Sequence, residues 1–206
     1  MRRVVLLALL ALAVPVAAFA SGIDIVNQYG SISVSAAGIH TAPFGSHVLQ
    51  FGPYSVSSGS LGNLYFSTGA CLTNCGDLAA GNSTFSSVGS TFTVVCRQAL
   101  CGGNGLTLFD GYFTSDVDWT KDAAWTPTHM VYDISGNIQG MLSDGRTVNG
   151  ATTQTVYTIS AQLGQGVAHI SGGNSHLVVP EPGTLGLLGT GLVGIAGMFR
   201  RRIFGS

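Results

Sequence analysis

From Thr107 to Thr120 apolar and polar positions alternate with a period of two. Phe109, Phe113, Val117 and Trp119 share one parity with Gly111 and Ser115, while Asp110, Tyr112, Thr114, Asp116, Asp118 and Thr120 share the other. Successive side chains of a strand point to opposite faces, so this stretch predicts a strand with a buried odd face and a wet even face. Gly111 marks an expected bulge or bend. The alternation recurs in Thr91 to Cys96, where Phe92, Val94 and Cys96 fall together, and in Thr153 to Leu163, where Tyr157, Ile159, Ala161 and Leu163 do. Ser135-Gly136-Asn137 reads as a hairpin turn between His129 to Ile134 and Ile138 to Leu142; Asp144-Gly145 and Asn149-Gly150 read as further turns. Earlier candidate strands are Ile23 to Asn27, Ser31 to Ser35, His47 to Phe51 and Leu64 to Ser67. About eight to ten short strands result, a number that an antiparallel β-sandwich or jelly-roll-like domain accommodates.

The two ends carry a different pattern. Arg2 and Arg3 precede the apolar run Val4 to Val14, and Ala18-Phe19-Ala20 closes it with small residues one apart. This predicts a secretory signal peptide over residues 1–20, cut by signal peptidase after Ala20. At the other end Thr184 to Phe199 contains no charge and is followed by Arg200, Arg201 and Arg202. As a helix these residues reach about 24 Å at 1.5 Å per residue. That is slightly less than the roughly 30 Å of a bilayer core, a deficit met by local thinning and by arginines reaching for the headgroups. Positive charge stays cytoplasmic, so everything before this transmembrane helix is expected outside.

Removing both ends leaves residues 21–178, enough chain for one domain with its own core. This portion has no glutamate and one lysine, and it is rich in Ser, Thr, Gly, Asn, Val and aromatics, a composition that disfavours helices and suits strands. Its basic residues are Arg97, Lys121 and Arg146, against eight aspartates, for a net charge of −5. Nucleic-acid binding, which needs a basic footprint, is disfavoured. The stretch Ser171-Gly172-Gly173-Asn174-Ser175 reads as a flexible tether ahead of the C-terminal segment.

That segment opens on Val179-Pro180-Glu181-Pro182. The prolines lack backbone donors and hold the preceding residues extended, which keeps the glutamate accessible just outside the apolar span. The order of Pro-Glu-Pro elbow, short span and arginine cluster over residues 179–206 resembles the PEP-CTERM sorting signal of exported bacterial proteins. The resemblance implies exosortase as partner, a membrane-embedded cysteine protease or transpeptidase that recognises the motif and removes the tail. It also implies transient anchoring in the inner membrane of an exopolysaccharide-producing Gram-negative bacterium, then delivery to the cell surface or extracellular matrix. It covers the last eighth or so of the chain and assigns no activity to residues 21–178.

Cys71, Cys75, Cys96 and Cys101 all lie in the exported portion, where pairing is the rule. The local pairs Cys71 with Cys75 and Cys96 with Cys101 are expected, with the nested set Cys71 with Cys101 and Cys75 with Cys96 as the rival. A zinc site would need these thiols reduced and more tightly spaced. Asp110, Asp116, Asp118 and Asp122 offer oxygen ligands for calcium or a carboxylate pair for glycoside hydrolysis, yet they also read as a solvated strand face. His40, His47, His129, His169 and His176 are scattered and form no H-E-x-x-H, and no G-x-S-x-G elbow occurs. Of Trp119, Trp125, Tyr112 and Tyr132, parity turns Trp119 into the core and leaves Tyr112 as the outward aromatic able to stack on a sugar. Neither metal, cofactor nor catalytic group is expected. The function expected is that of an exported surface or matrix protein without enzymatic activity, with a carbohydrate-binding module of extracellular polysaccharide as the alternative.

Overall fold

A computed structural model describes residues 22–122, 130–159, 163 and 166–179. The described chain is built from fourteen strands, and residues 22–179 form one compact unit. The strands are β1 Gly22–Gln28, β2 Ser31–Ser35, β3 Gly38–Thr41, β4 Ser46–Phe51, β5 Tyr54–Ser55, β6 Gly62–Ser67 and β7 Cys71–Thr73. They continue with β8 Asn82–Phe85, β9 Thr91–Cys96, β10 Thr107–Phe113, β11 Val117–Lys121, β12 Met130–Leu142, β13 Thr147–Thr158 and β14 Val167–Val178. Antiparallel pairing runs β1–β4–β6–β9–β10–β12–β13–β14 and returns from β14 to β1. The sheet therefore closes on itself as an eight-stranded barrel.

This corrects the sandwich or jelly-roll expectation. Both architectures bury one face of each strand, so a period of two fits either; what decides is that the first strand pairs with the last, leaving no second sheet among the described residues. The remaining strands lengthen the staves. β1 and β2 pair with the two halves of β14 and are parted only at Tyr29-Gly30, where φ is +59° and +107°. β10 and β11 share β12 in the same way, stepping at residues 114–116, and β8 and β9 run alongside them.

Side chains fill the interior, as the width of an eight-stranded barrel requires. Phe92 lies within 6.3 Å, centroid to centroid, of Phe66, Phe109 and Phe113, edge-on to the last two. Toward the other end Trp119 stacks on Tyr132 at 4.5 Å, and both polar tips find backbone oxygens: Trp119 Nε1 donates to Leu78 O at 2.9 Å and the Tyr132 hydroxyl to Ala79 O at 3.0 Å. Phe92, Phe109, Trp119 and Tyr132 are all fully buried.

The Thr107 to Thr120 parity holds: Phe109, Phe113, Val117 and Trp119 point in, and Asp110, Tyr112, Asp116 and Asp118 point out. The irregularity in β10 falls between Thr107 and Phe109, not at Gly111, which pairs directly with Gly140. In β13 the parity is inverted. Thr152, Gln154, Val156 and Thr158 face inward, while Tyr157 and Ile159 are exposed, because this part of the interior is polar. Asn27 Nδ2 donates to Ser46 Oγ at 2.8 Å and to Gln154 Oε1 at 2.7 Å. Gln154 Nε2 donates to Thr152 Oγ1 at 2.9 Å, and Ser175 Oγ donates to the same hydroxyl at 2.7 Å.

Three expected breaks are absent. Ser135-Gly136-Asn137 lies inside β12, paired with residues 151–153, and Gly136 leaves room for the Phe113 ring. Asn149-Gly150 lies inside β13, where a Cβ on Gly150 would meet His176 O at 2.1 Å. Ser171 to Ser175, the expected tether, is part of β14. Asp144-Gly145 is a turn, with Gly145 at φ +85°. Among the described residues no helix is long and apolar enough to cross a membrane. The signal peptide with Ala18 and Ala20, the motif residues Pro180, Glu181 and Pro182, the apolar span and Arg200 to Arg202 lie outside the described residues, as do Trp125 and His129.

Candidate functional site

The register of β10 on β12 builds one outward-facing groove. Tyr112 is paired with Gln139 and Asp110 with Met141, and Met141 is paired in turn with Thr147 of β13. These five side chains line a shallow depression of about 600 Å³ on the outer wall. Its floor is thin because Gly111 and Gly140 face each other; a Cβ on either would come within 2.7 Å of the Phe109 ring beneath. The interior aromatic thus covers the two glycines from inside and keeps the wall regular where it would otherwise be weak. Tyr112 is 50% exposed and Met141 54%.

Polar groups continue the face toward β9 and β6. Thr93 Oγ1 donates to Asp110 Oδ1 at 3.0 Å, and Thr93 is paired across the other edge of β9 with Tyr65. The Tyr65 hydroxyl accepts from Asn63 Nδ2 at 3.2 Å and from Arg97 Nη2 at 3.3 Å. Burial alone would raise the Tyr65 phenol, but these two hydrogen bonds and the guanidinium charge bring it below its usual value. An exposed ring beside a carboxylate, a carboxamide and hydroxyls offers a flat apolar surface and hydrogen-bonding groups of both kinds, the pairing of chemistries a sugar presents.

Two disulfides each close a small loop, Cys71 with Cys75 and Cys96 with Cys101, so the local pairing is the one formed and the nested set is not. The second lies at the end where the described chain begins and finishes. There Ile23, Phe51, Tyr54, Leu106 and Leu142 line a second hollow of about 420 Å³, rimmed by Asp144 and Arg146. Arg146 Nε donates to Asp144 Oδ2 at 2.7 Å. With the Arg146 backbone hydrogen bond leading, these contacts hold the Asp144 carboxyl below its ordinary value.

Asp110 belongs to the groove, whereas Asp116 and Asp118 face solvent from beyond the step in the strand. His176 Nδ1 lies 2.7 Å from Asp24 Oδ1 across β14 and β1, and His40 and His47 are exposed. Among the described residues no three His, Cys, Asp or Glu side chains gather to hold a metal ion. Sequence parity finds Tyr112; it misses Gln139, Met141 and Thr147, since strands remote in order become neighbours only through pairing.

No curated protein and no solved structure matches the chain. The family comparison finds a signal at the point where the barrel ends. Residues 178–202 match the PEP-CTERM protein-sorting motif, which marks an exported chain anchored in the membrane before processing by exosortase.

Proposed function

We propose that the chain is a non-enzymatic protein of the cell surface or extracellular matrix, exported behind its signal peptide and released from its C-terminal anchor by exosortase. The observation that carries this reading is the sorting motif at the end of a closed barrel that carries two disulfides. Disulfides suit an oxidising compartment, and a barrel without long open edges resists unwanted strand addition outside the cell. The test is fractionation of cells that carry the sorting enzyme, comparing the whole chain with one ending at Val179. The whole chain is expected at the surface or in the matrix, and the truncated chain in the periplasm or medium without surface enrichment. Equal distribution of the two would refute the reading.

A second reading is favoured by the Tyr112 groove: the barrel holds extracellular polysaccharide against its outer wall. Tyr112 supplies the stacking surface, with Asp110, Gln139 and Thr147 supplying hydrogen bonds. Retardation of the folded protein in gels containing the host's own polysaccharide tests it, and migration unchanged by polysaccharide would exclude it.

A further inference from the structure

We propose that the folded barrel restrains its own processing: the sorting enzyme engages the Pro180-Glu181-Pro182 motif only when the last rung of β14 opens. This rests on the exosortase reading above and concerns the step just before cleavage. Val178, the first residue of the matched sorting motif, is the last residue of β14 and is flanked on both sides, by Gly22 of β1 and Asn149 of β13. Val179, the second, packs against the core. The motif thus begins inside the barrel wall.

No slack lies upstream. Gly172, Gly173 and Asn174, which composition alone would make a linker, are paired with Thr155, Gln154 and Thr153, and Gly173 is paired also with Asn27. One residue before Val178, Leu177 is fully buried and pins the strand. The ladder ends at Val178, and a proline at position 180 favours an extended conformation for Val179.

Extended peptides are recurrently recognised as an added strand, through main-chain hydrogen bonds. A segment already flanked by two neighbours cannot pair with a third. Opening of Val178 and Val179 frees two residues ahead of the motif while Leu177 keeps the barrel closed. Terminal rungs open at far less cost than the whole fold, so the step is accessible yet slow relative to an unstructured linker.

The test inserts six Gly and Ser residues between Val179 and Pro180 of the whole chain and follows loss of the tail by pulse–chase in cells carrying the sorting enzyme. The spacer is expected to speed processing several-fold. The same six residues inserted at Gly59, where a side chain would meet open space, are expected to change nothing. Leu177→Ala, which loosens the pinning residue, is expected to speed processing as well. Unchanged or slower processing of the spacer chain would overturn the proposal. An unaltered chain that keeps its tail beside active enzyme would instead count against the sorting reading, and this proposal with it.

Discussion

Gly22 and Val178 are paired across β1 and β14, so the rung that closes the barrel joins the second residue after the predicted signal-peptide cut to the first residue of the matched sorting motif. In the β1–β14 seam Leu177 is fully buried, whereas His176 faces Asp24 at the surface. Leu177→Ala is expected to cost about 2–5 kcal/mol. His176→Ala is expected to cost less than about 1 kcal/mol, as exposed pairs do. Urea unfolding of both variants measures the difference, and equal losses would contradict this division of the seam.

Gly173 makes room for the polar interior. A Cβ there would collide first with Gln154, with Oε1 at 2.0 Å, while Gln154 is held by Asn27 and Thr152. Gly173→Ala must displace that amide and disrupt its hydrogen bonds, and is expected to cost about 1–3 kcal/mol. In a Gln154→Ala background the same change is expected to be nearly neutral. A double-mutant cycle by thermal or urea unfolding reads the coupling.

The inverted parity of β13 has the same origin. Phe92, Phe109, Phe113 and Trp119 were legible as interior because hydrophobicity and inwardness coincide there. In β13 they part company: Gln154 and Thr152 are inside because Asn27 and Ser175 meet them from β1 and β14, a long-range fact that no local pattern carries. Gly136, Gly150 and Gly173 misled in a second way. Each looks like a chain breaker, yet each sits in a strand and accommodates a neighbour: a Phe113 ring, a His176 carbonyl and a Gln154 amide. Of the groove, Tyr112 was legible from parity, and its partners were not, since β10 meets β12 only through barrel register.

Tyr112 is half exposed and makes no contribution to the core, so Tyr112→Ala is expected to leave stability within about 0.5 kcal/mol. If the groove holds polysaccharide, the same change weakens retention roughly two- to tenfold, the effect of losing a stacking contact of about 0.5–1.5 kcal/mol. Affinity electrophoresis beside a melting curve separates the two effects.

Tyr132 gives the fold an alkaline limit. Burial chiefly, and the Asp77 charge secondarily, raise its phenol above the ordinary value, so the folded state keeps a proton that the unfolded state has lost. For a raised acid the contribution is present below the unfolded value and is lost as pH rises past it, near pH 10. Urea midpoints between pH 8 and pH 11 are expected to fall more steeply for the natural chain than for Tyr132→Phe, which has no proton to lose at that site. Parallel profiles would contradict the assignment.

The most direct test is the intact mass of the protein recovered from cells that carry the sorting enzyme, with thiols alkylated before and after reduction. The expected species comes from outside the cytosol, begins at Ser21, lacks the apolar run and arginines of the tail, and takes up four alkyl groups only after reduction. A cytosolic chain with both ends intact and four thiols open to alkylation without reduction would contradict it.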